Sequence, residues 1–453
     1  MTTRVVIVRH GQSSYNTERR IQGRSNASTL TAKGYSDALK VGEVLSHLNF
    51  AAVYTSPLQR AKKTAEVICD RLSTSTIQPQ DNLMEIDLPL WEGMLLQEVR
   101  DQFSEDYRCW HQQPHQLLMI IPDAQGTKKH FPVLALYEQA EQFWQEILPR
   151  HAGETILIVG HNGINRALIS TALGIPASRY HSIQQSNCGI SVLNFDPPYP
   201  PYQGGTKGGS VQLESLNQTS HLGEVLPSLR PNHQGTRLLL VRHGETDWNR
   251  SSRFQGGIDV PLNDNGRQQA QKAAQFLKDV PLDFAFTSPM LRPKETAEII
   301  LQYHPAIQLE LLDGLREISH GLWEGKLETE IEQAYPGELH RWRTVPDEVQ
   351  MPEGENLHQV WERSQAAWQS ILAAVDNQSK TGLVVAHDAT NKALLCQILG
   401  LDPQRFWNFR QGNGAVSVID YPQGGDSLPV LQAMNITTHL GGGVLDKTAA
   451  GAL

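Results

Sequence analysis

The sequence predicts an α/β protein made of two tandem three-layer domains, each with a mostly parallel sheet flanked by helices. Two observations predict this class. Short apolar runs, such as residues 5–8 and 238–241, have the composition of buried parallel strands, and amphipathic helical patterns alternate with them. A nine-residue stretch occurs twice, as residues 8–16 and 241–249, each time where such a run ends. This recurrence indicates that the second half of the chain duplicates the first.

The elements of the first half follow from the same patterns. Strands are expected at four apolar segments, residues 5–8, 51–54, 155–159 and Ile190–Phe195. Helices are expected where apolar residues recur at helical spacing, in 38–48, from Ser56-Pro57 onward and over 165–173. Ser56-Pro57 is typical of a helix start, because serine can cap a helix and proline suits its first position. A mixed, helical and loop-rich stretch fills the chain to about residue 150.

The boundary between the domains depends on how one proline- and glycine-rich stretch is interpreted. We interpret residues 197–210 as an elongated hairpin loop, because a strand-like segment and a polar segment at 217–222 follow it. The second half has the equivalent polar segment at 435–440. The linker is then expected at 223–236, between domains of residues 1–222 and 237–453.

Length, charge and cysteine use limit the class of protein. The 453 residues suffice for two to four domains, and a net charge of −9 argues against nucleic acid or an anionic membrane as a partner. No stretch approaches the roughly 18 apolar residues of a membrane span, and the first strand begins too early for a signal peptide. The four isolated cysteines indicate reduced or buried thiols. We therefore expect a cytoplasmic protein that needs no metal and no cofactor, with its oligomeric state left open.

The duplication extends over the whole of each half, at an offset that stays between 226 and 233 residues. The matching residues are Arg9-His10 with Arg242-His243, Gln22-Gly23 with Gln255-Gly256, Arg60 with Arg292, Glu85 with Glu317, Trp110 with Trp342 and His161 with His387. Chance would not match so many positions in register. We interpret the two tryptophans as packing residues.

Each half thus carries two arginines, two histidines and a glutamate, and ligands of α/β sheets bind where parallel strands end. Two arginines can clamp a phosphoryl group. One imidazole can attack phosphorus if a hydrogen bond holds its other nitrogen, and a second, if protonated, adds a positive donor. A glutamate whose pKa is raised by burial can protonate the leaving alcohol and later take a proton from water.

This set resembles the histidine phosphatase superfamily, the phosphoglycerate-mutase-like group. The resemblance covers nearly the whole chain, twice, and residues 242–249 match the signature Arg-His-Gly-Glu-Thr-x-x-Asn throughout. The resemblance implies that His10 and His243 are phosphohistidine nucleophiles and that Glu85 and Glu317 are proton donors. The implied substrate-binding residues are Arg9, Asn16, Arg60, His161, Arg242, Asn249, Gln255, Gly256, Arg292 and His387.

Several positions depart from the family pattern. Asp388 follows His387 where glycine or asparagine is more usual, and an acid there is unfavourable beside a phosphate unless it binds a substrate hydroxyl. In the first half Gln12 replaces the signature glutamate, no aspartate matches Asp259, and no Pro-x-Gly-Glu segment appears. We still expect both sites to become phosphorylated. If only one works, the closer signature favours the second.

The resemblance implies a phosphomonoester hydrolase that acts on small phosphorylated metabolites, sugar or sugar-acid phosphates, through a phosphohistidine intermediate. Residues 242–262 are more like small-molecule phosphatases than mutases, which often have Phe-x-Gly-Trp where Phe254-Gln255-Gly256-Gly257 stands. Two alternatives stay open. One is a phosphoglycerate mutase, and the other is one active domain with one non-catalytic binding or regulatory domain.

Overall fold

The computed structural model describes residues 1–72, 76–123, 126–199, 202–203, 206–207, 209–230, 233–375, 379–424 and 427–445. The chain divides into two compact units, Met1–Glu224 and Val225–Leu453. The division falls within the expected linker, of which residues 231–232 lie outside the described part. Within that part, no helix combines the length and the apolar character that a membrane span requires.

The first unit alternates strands and helices along the chain. Its elements are β1 (Thr3–Arg9), α1 (Ser14–Glu18), α2 (Ala32–Leu45), β2 (Ala52–Thr55), α3 (Gln59–Cys69), β3 (Ile77–Pro79), α4 (Leu96–Gln102), α5 (Ser104–Gln112), β4 (Met119–Asp123), β5 (Gly126–His130), α6 (Pro132–Ile147), β6 (Thr155–Gly160), α7 (Asn162–Leu173), β7 (Ile190–Phe195), β8 (Tyr202–Gln203), β9 (Thr206–Lys207) and β10 (Val211–Gln218).

The sheet of the first unit has the strand order β10-β7-β1-β6-β2-β3. Strands β1, β6, β2 and β3 run parallel, while β7 is antiparallel to both β1 and β10. The antiparallel pairing of β7 with β10 confirms that the segment between them is a hairpin connection, although residues 200–201, 204–205 and 208 lie outside the described part.

The second unit repeats this plan with the order β13-β12-β14-β11-β15-β16. Strands β11, β14, β12 and β13 are parallel, and β15 is antiparallel to β11 and β16. Its elements are β11 (Arg237–Arg242), α8 (Asp247–Arg250), α9 (Asp264–Leu277), β12 (Phe284–Thr287), α10 (Leu291–Ile300), β13 (Leu309–Leu311), α11 (Glu328–Ala334), α12 (Glu338–Thr344), α13 (Leu357–Ala374), β14 (Thr381–Ala386), α14 (Asp388–Leu399), β15 (Val416–Asp420) and β16 (Val430–Ile436).

The central strands are apolar throughout because helices cover the sheet and bury their side chains. Val5, Val6, Ile7 and Val8 are fully buried, and so are the equivalent residues of β11. Each such side chain contributes about 1.5–3 kcal/mol through burial. In the first unit α2 packs on α3 and α6 packs on α7. The α/β fold class expected from the sequence is thereby confirmed.

Three details of the sequence interpretation were wrong. Helix α3 begins at Gln59, after Ser56-Pro57, because the Asn26 side chain accepts a hydrogen bond from Gln59 N at 2.7 Å and caps the helix from a neighbouring loop. Helix α7 begins three residues earlier than expected, at Asn162, with His161 as its N-cap. The loop-rich stretch before α6 contains the hairpin of β4 and β5, which no pattern indicated.

Candidate active sites

The two histidines of each unit meet where parallel strands end. His10 N donates to Gly160 O at 2.9 Å, which holds the end of β1 beside the end of β6, where His161 follows. The ring centroids of His10 and His161 are 5.1 Å apart. In the second unit His243 N donates to Ala386 O at 3.1 Å, and the centroids of His243 and His387 are 5.2 Å apart. The same backbone geometry therefore produces the same histidine pair twice.

The first histidine of each pair is held in one tautomer. Nδ1 of His10 lies 2.7 Å from Gly11 O, and Nδ1 of His243 lies 2.7 Å from Gly244 O. A carbonyl only accepts, so Nδ1 carries the proton and Nε2 keeps its lone pair. Burial, together with the two nearby arginines of each site, holds the pKa of both rings well below the ordinary value. Both imidazoles are therefore neutral at pH 7, as a nucleophile must be.

The arginines are fixed by backbone carbonyls rather than by carboxylates. Arg60 donates to Ser25 O at 2.8 Å and Gly23 O at 2.9 Å. Arg292 donates to Ile258 O at 3.1 Å and Gly256 O at 3.0 Å, and its Nε lies 3.3 Å from His243 Nε2. Burial lowers the pKa of Arg292 to about 10, so it stays charged at neutral pH. The carbonyl groups thus orient each guanidinium without an ion pair within the described part of the chain, which leaves its charge available to a bound anion.

The arginine that precedes each nucleophile is also held by a backbone carbonyl, and Arg242 has in addition an ion pair with Asp388 at 3.3 Å. Arg9 Nη1 donates to Gln185 O at 2.8 Å, and Arg242 Nη1 donates to Gln411 O at 2.7 Å. Gly256, which we expected to bind substrate, holds Arg292 through its carbonyl group. Gln255 is buried, and its Oε1 accepts no hydrogen bond within the described part of the chain.

Two residue pairs that the sequence interpretation missed anchor the nucleophile loops. Asn187 Nδ2 donates to His10 O at 2.9 Å, and Asn413 Nδ2 donates to His243 O at 3.2 Å. The same amide groups lie 3.3 Å from the Oδ1 atoms of Asn16 and Asn249, which explains why these two expected site residues lie beside the nucleophile.

Thr64 and Thr296 form the second missed pair. Each hydroxyl accepts a hydrogen bond at 3.1 Å from the backbone N–H that follows the nucleophile, on Gly11 and Gly244 respectively. All four missed residues recur at the offset of the duplication, so the repeat itself held a signal for them.

Each glutamate accepts hydrogen bonds from the first turn of the helix after the second histidine. Glu85 accepts from Gly163 N and Ile164 N, both at 3.1 Å. Glu317 accepts from Ala389 N and Thr390 N, both at 3.4 Å. Burial raises the pKa of Glu317, which a proton donor near neutral pH requires. The glutamates therefore lie beside the histidine pairs, as expected.

The second histidines differ in their partners. Nε2 of His387 lies 2.9 Å from the Ser288 hydroxyl, whereas neither ring nitrogen of His161 has a hydrogen-bond partner among the described residues. Burial, reinforced by the site arginines, lowers the pKa of both rings well below the ordinary value. Both are neutral without ligand, and the charge of a bound phosphate dianion would favour their protonated form.

Cysteines and tryptophans lie outside the two histidine pairs and their arginines. Among the described residues, no group of three or more histidine, cysteine, aspartate or glutamate side chains has the arrangement to hold a metal ion. The four cysteines are free thiols, and Cys188 and Cys396 are buried. Trp110 and Trp342 pack on aromatic rings, with centroids 6.1 Å from Trp91 and 5.5 Å from Trp407.

Comparison with known proteins gives a consistent result. Residues 5–202 and 238–437 match the sequence profile of the histidine phosphatase superfamily (branch 1). The chain is 33% identical to 2-carboxy-D-arabinitol-1-phosphatase of Triticum aestivum, over 97% of this chain and 86% of that protein. A probable 2-carboxy-D-arabinitol-1-phosphatase of Arabidopsis thaliana is 33% identical over 97% of this chain and 88% of its own length. Phosphoserine phosphatase 1 of Hydrogenobacter thermophilus is 36% identical over 45% of this chain and 94% of that protein. The chain therefore belongs to the histidine phosphatase superfamily, and it carries the superfamily's domain twice.

Proposed function

We propose that this protein is a phosphomonoester hydrolase with two working sites, each of which acts through a phosphohistidine on small sugar or sugar-acid phosphates. One observation carries the proposal. In each unit, two arginines, two histidines and a buried glutamate converge where the parallel strands end, and every expected residue type is present in both.

In the first step, Nε2 of His10 or His243 attacks phosphorus while the bond from phosphorus to the leaving alcohol breaks. Arg9 and Arg60, or Arg242 and Arg292, spread the charge on the equatorial oxygens. The second histidine, protonated beside the bound dianion, donates to the same oxygens. Glu85 or Glu317 gives its proton to the leaving alcohol oxygen, so no alkoxide is released.

In the second step, water attacks phosphorus and the bond to Nε2 breaks. The glutamate, now a carboxylate, takes one proton from that water, which restores its acid form as inorganic phosphate leaves. Gly11 O and Gly244 O keep the Nδ1 proton in place through both steps. The imidazole is thereby returned in its original tautomer.

The substrate class is suggested by the named relatives. Two of them that match nearly the whole chain are named for 2-carboxy-D-arabinitol 1-phosphate. We extend that class, phosphorylated sugar acids, to this chain. The domains would comprise residues 1–222 and 237–453 with a linker at 223–236, and the four free thiols favour a reducing, cytoplasmic compartment.

The test is the removal of each nucleophile separately and together. His10→Ala, His243→Ala and the double variant are assayed for phosphate release from 2-carboxy-D-arabinitol 1-phosphate and from 3-phosphoglycerate. Each single variant should keep part of the wild-type activity, and the double variant should have none. His47→Ala, at an exposed histidine, is the matched control and should retain full activity.

Two further measurements decide the mechanism. A denaturing quench should trap an acid-labile phosphoprotein in each single variant and none in the double variant. Persistence of the label in the double variant would refute the phosphohistidine. Conversion of 3-phosphoglycerate to its 2-phosphate isomer without phosphate release would identify a mutase instead.

A further inference from the structure

The position directly after the second histidine differs between the sites. Asn162 is the first residue of α7, and Asp388 is the first residue of α14. Both carry an Oδ1 atom that is buried and accepts no hydrogen bond from the described residues. Asp388 is 3% exposed, and its Oδ1 lies 3.3 Å from Nη1 of the phosphate-clamping Arg242. This oxygen has an ion-pair contact with Arg242 but no hydrogen bond, so it can still accept one from a hydroxyl group of the substrate.

The charge around Asp388 is balanced within the second site. Its Oδ2 lies 2.7 Å from Lys392 Nζ, one helical turn further along α14. The ammonium group also lies 4.5 Å from the Trp407 ring centroid, and the lysine is 5% exposed. The aspartate therefore cancels the additional cation of this site.

The first site has the additional cation without the acid. Arg166 occupies the position of Lys392 and is 6% exposed. Its partners are neutral. They are Ile183 O at 2.7 Å, His181 Nδ1 at 3.4 Å, Gln184 Oε1 at 3.4 Å and the Tyr180 ring, whose centroid is 5.6 Å from the guanidinium carbon. Within the described ranges, no carboxylate forms an ion pair with Arg166.

Arg166 lies in the same helix as Gly163 and Ile164, whose N–H groups bind Glu85, which places its charge close to the first site. Both sites share two clamping arginines and one glutamate. The first site therefore has one more net positive charge than the second.

From these contacts we propose that the two sites select different phosphate esters. The first site prefers esters that carry a carboxylate near the phosphate, and the second prefers uncharged polyol phosphates that donate a hydroxyl to Asp388. This inference rests on the proposed function, because it concerns the leaving group of the same two sites. An additional anion would be attracted by Arg166 and repelled by the carboxylate of Asp388.

The simpler interpretation is that Asp388 only neutralises Lys392. That role accounts for Oδ2, which faces the ammonium group, but it does not require Oδ1 to face Arg242, the arginine that clamps the phosphate. It also leaves the unbonded Oδ1 of Asn162 without an explanation, because no lysine lies there.

The experiment uses two single-site forms of the full chain. His243→Ala with Arg292→Ala leaves the first site, and His10→Ala with Arg60→Ala leaves the second. The probes are 3-phosphoglycerate and glycerol 3-phosphate, which differ only by a carboxylate in place of a hydroxymethyl group. The ratio of kcat/KM for these two esters should be at least tenfold higher in the first-site chain.

Reciprocal substitutions test the residues directly. Asp388→Asn in the second-site chain should raise the ratio at least tenfold, and Asn162→Asp in the first-site chain should lower it at least tenfold. If Asp388→Asn alone does not fold, Asp388→Asn with Lys392→Arg reproduces the first-site pair. Asp264→Asn, at an aspartate whose side chain is 98% exposed, is the charge-matched control and should leave the ratio unchanged.

Binding separates this inference from the proposed function. The Kd of each ester is measured by calorimetry on the same chains. If a chain binds both esters without hydrolysing them, the proposed function fails for that site, and the ratio of Kd values then decides the inference. Ratios that agree within twofold between the chains, or that the reciprocal substitutions do not move, overturn it.

Discussion

In the two candidate active sites, different side chains hold equivalent backbone positions. In the second unit Asp259 Oδ1 accepts from Leu291 N at 2.8 Å, and in the first Asn26 Oδ1 accepts from Gln59 N at 2.7 Å. Asn26 thus makes the hydrogen bond of Asp259, for which the first half has no matching aspartate. A mismatch with the family pattern is therefore not evidence of decay when the hydrogen bond survives.

In the loop that carries the glutamate, the two units likewise use different side chains to bind equivalent backbone carbonyl groups. In the second unit Arg363, paired with Glu355 at 2.8 Å, donates to the carbonyl groups of residues 314, 316 and 317. In the first unit Gln139 donates to the carbonyls of residues 82 and 84, and Arg24 donates to that of residue 85. The Pro-x-Gly-Glu segment, residues 352–355, supplies Glu355 for this arrangement. It is therefore one of two ways to hold the three equivalent carbonyl groups.

The largest expected effect tests whether the glutamates of the two loops, Glu85 and Glu317, both act as proton donors. Glu317→Gln and Glu85→Gln should each lower kcat of their own site about 10²–10⁴-fold for alkyl phosphates, because the leaving alcohol then lacks a proton donor. With p-nitrophenyl phosphate the loss should be much smaller, since nitrophenolate leaves unprotonated. The measurement uses the single-site chains with both esters. An effect confined to Glu317→Gln would identify the first site as a relic.

A smaller effect should distinguish the two ways of holding the loop. Arg363→Ala removes three carbonyl hydrogen bonds and an ion pair, and should cost the second unit about 2–3 kcal/mol of unfolding free energy. Gln139→Ala should cost the first unit about 1 kcal/mol, because Arg24 still holds residue 85. Urea unfolding measures both. Arg341→Ala, at an ion pair whose arginine side chain is 46% exposed, is the control and should cost little. Equal losses at Arg363 and Gln139 would contradict the comparison.

The stability of the two units should also depend differently on pH, because the second unit buries His320 where the first has a leucine. Burial lowers the pKa of His320 to about 3, and the first unit has Leu88 at that position. Below pH 6.5 the unfolded chain binds a proton there that the folded unit does not. The contribution of this residue is therefore intact above pH 6.5 and is lost as the pH falls, by about 1.4 kcal/mol per pH unit.

The matched variant for this effect is His320→Leu. Between pH 6.5 and 5, it should reduce the slope of unfolding free energy against pH by about 1.4 kcal/mol per pH unit in the second unit. The slope of the first unit should not change. Calorimetric unfolding over this range measures the slope. An unchanged slope would show that His320 is protonated in the folded state.

The smallest expected effect concerns the distance between each glutamate and its helix. Gly163 lacks the Cβ that Ala389 has, which allows Glu85 to lie nearer the backbone N–H groups than Glu317 does. Ala389→Gly should shorten these bonds, lower the pKa of Glu317 and move the alkaline limb of the kcat profile down by less than one pH unit. A shift upward would refute this explanation.

Gly163→Ala brings a Cβ against Glu85 and should lower the activity of the first site several-fold.

The sequence predicted what depends on repeated patterns. Apolar runs located the parallel strands because both faces of each sheet are buried, and the nearly constant offset paired the two arginines, two histidines and glutamate of one candidate site with those of the other. The same offset contained Thr64, Asn187 and their partners, but polar residues in loops carry no periodicity that marks them as anchors.

Other features could not be predicted, because they depend on contacts that are distant in the sequence. Gln139 and Arg363 differ in chemical type, so alignment of the halves gives no sign that they hold the same carbonyls. The cap of α3 by Asn26 comes from a residue 33 positions away. The partner of Asp388 required the structure, although Lys392 lies only one turn along the helix.

The helices that follow the second histidines have one consequence for the history of the gene. Helices α7 and α14 are both 12 residues long, both start after an extended histidine, and both end at a left-handed glycine, Gly174 or Gly400. The two helices therefore have the same length and the same kind of residue at both ends, so one can replace the other. Each carries the two residues that we assign to substrate choice, Asn162 and Arg166 or Asp388 and Lys392, but not the nucleophile. After duplication, one copy could change its preferred metabolite within this segment while the other preserved the original reaction. Exchange of the segment between the halves would transfer the preference in either direction.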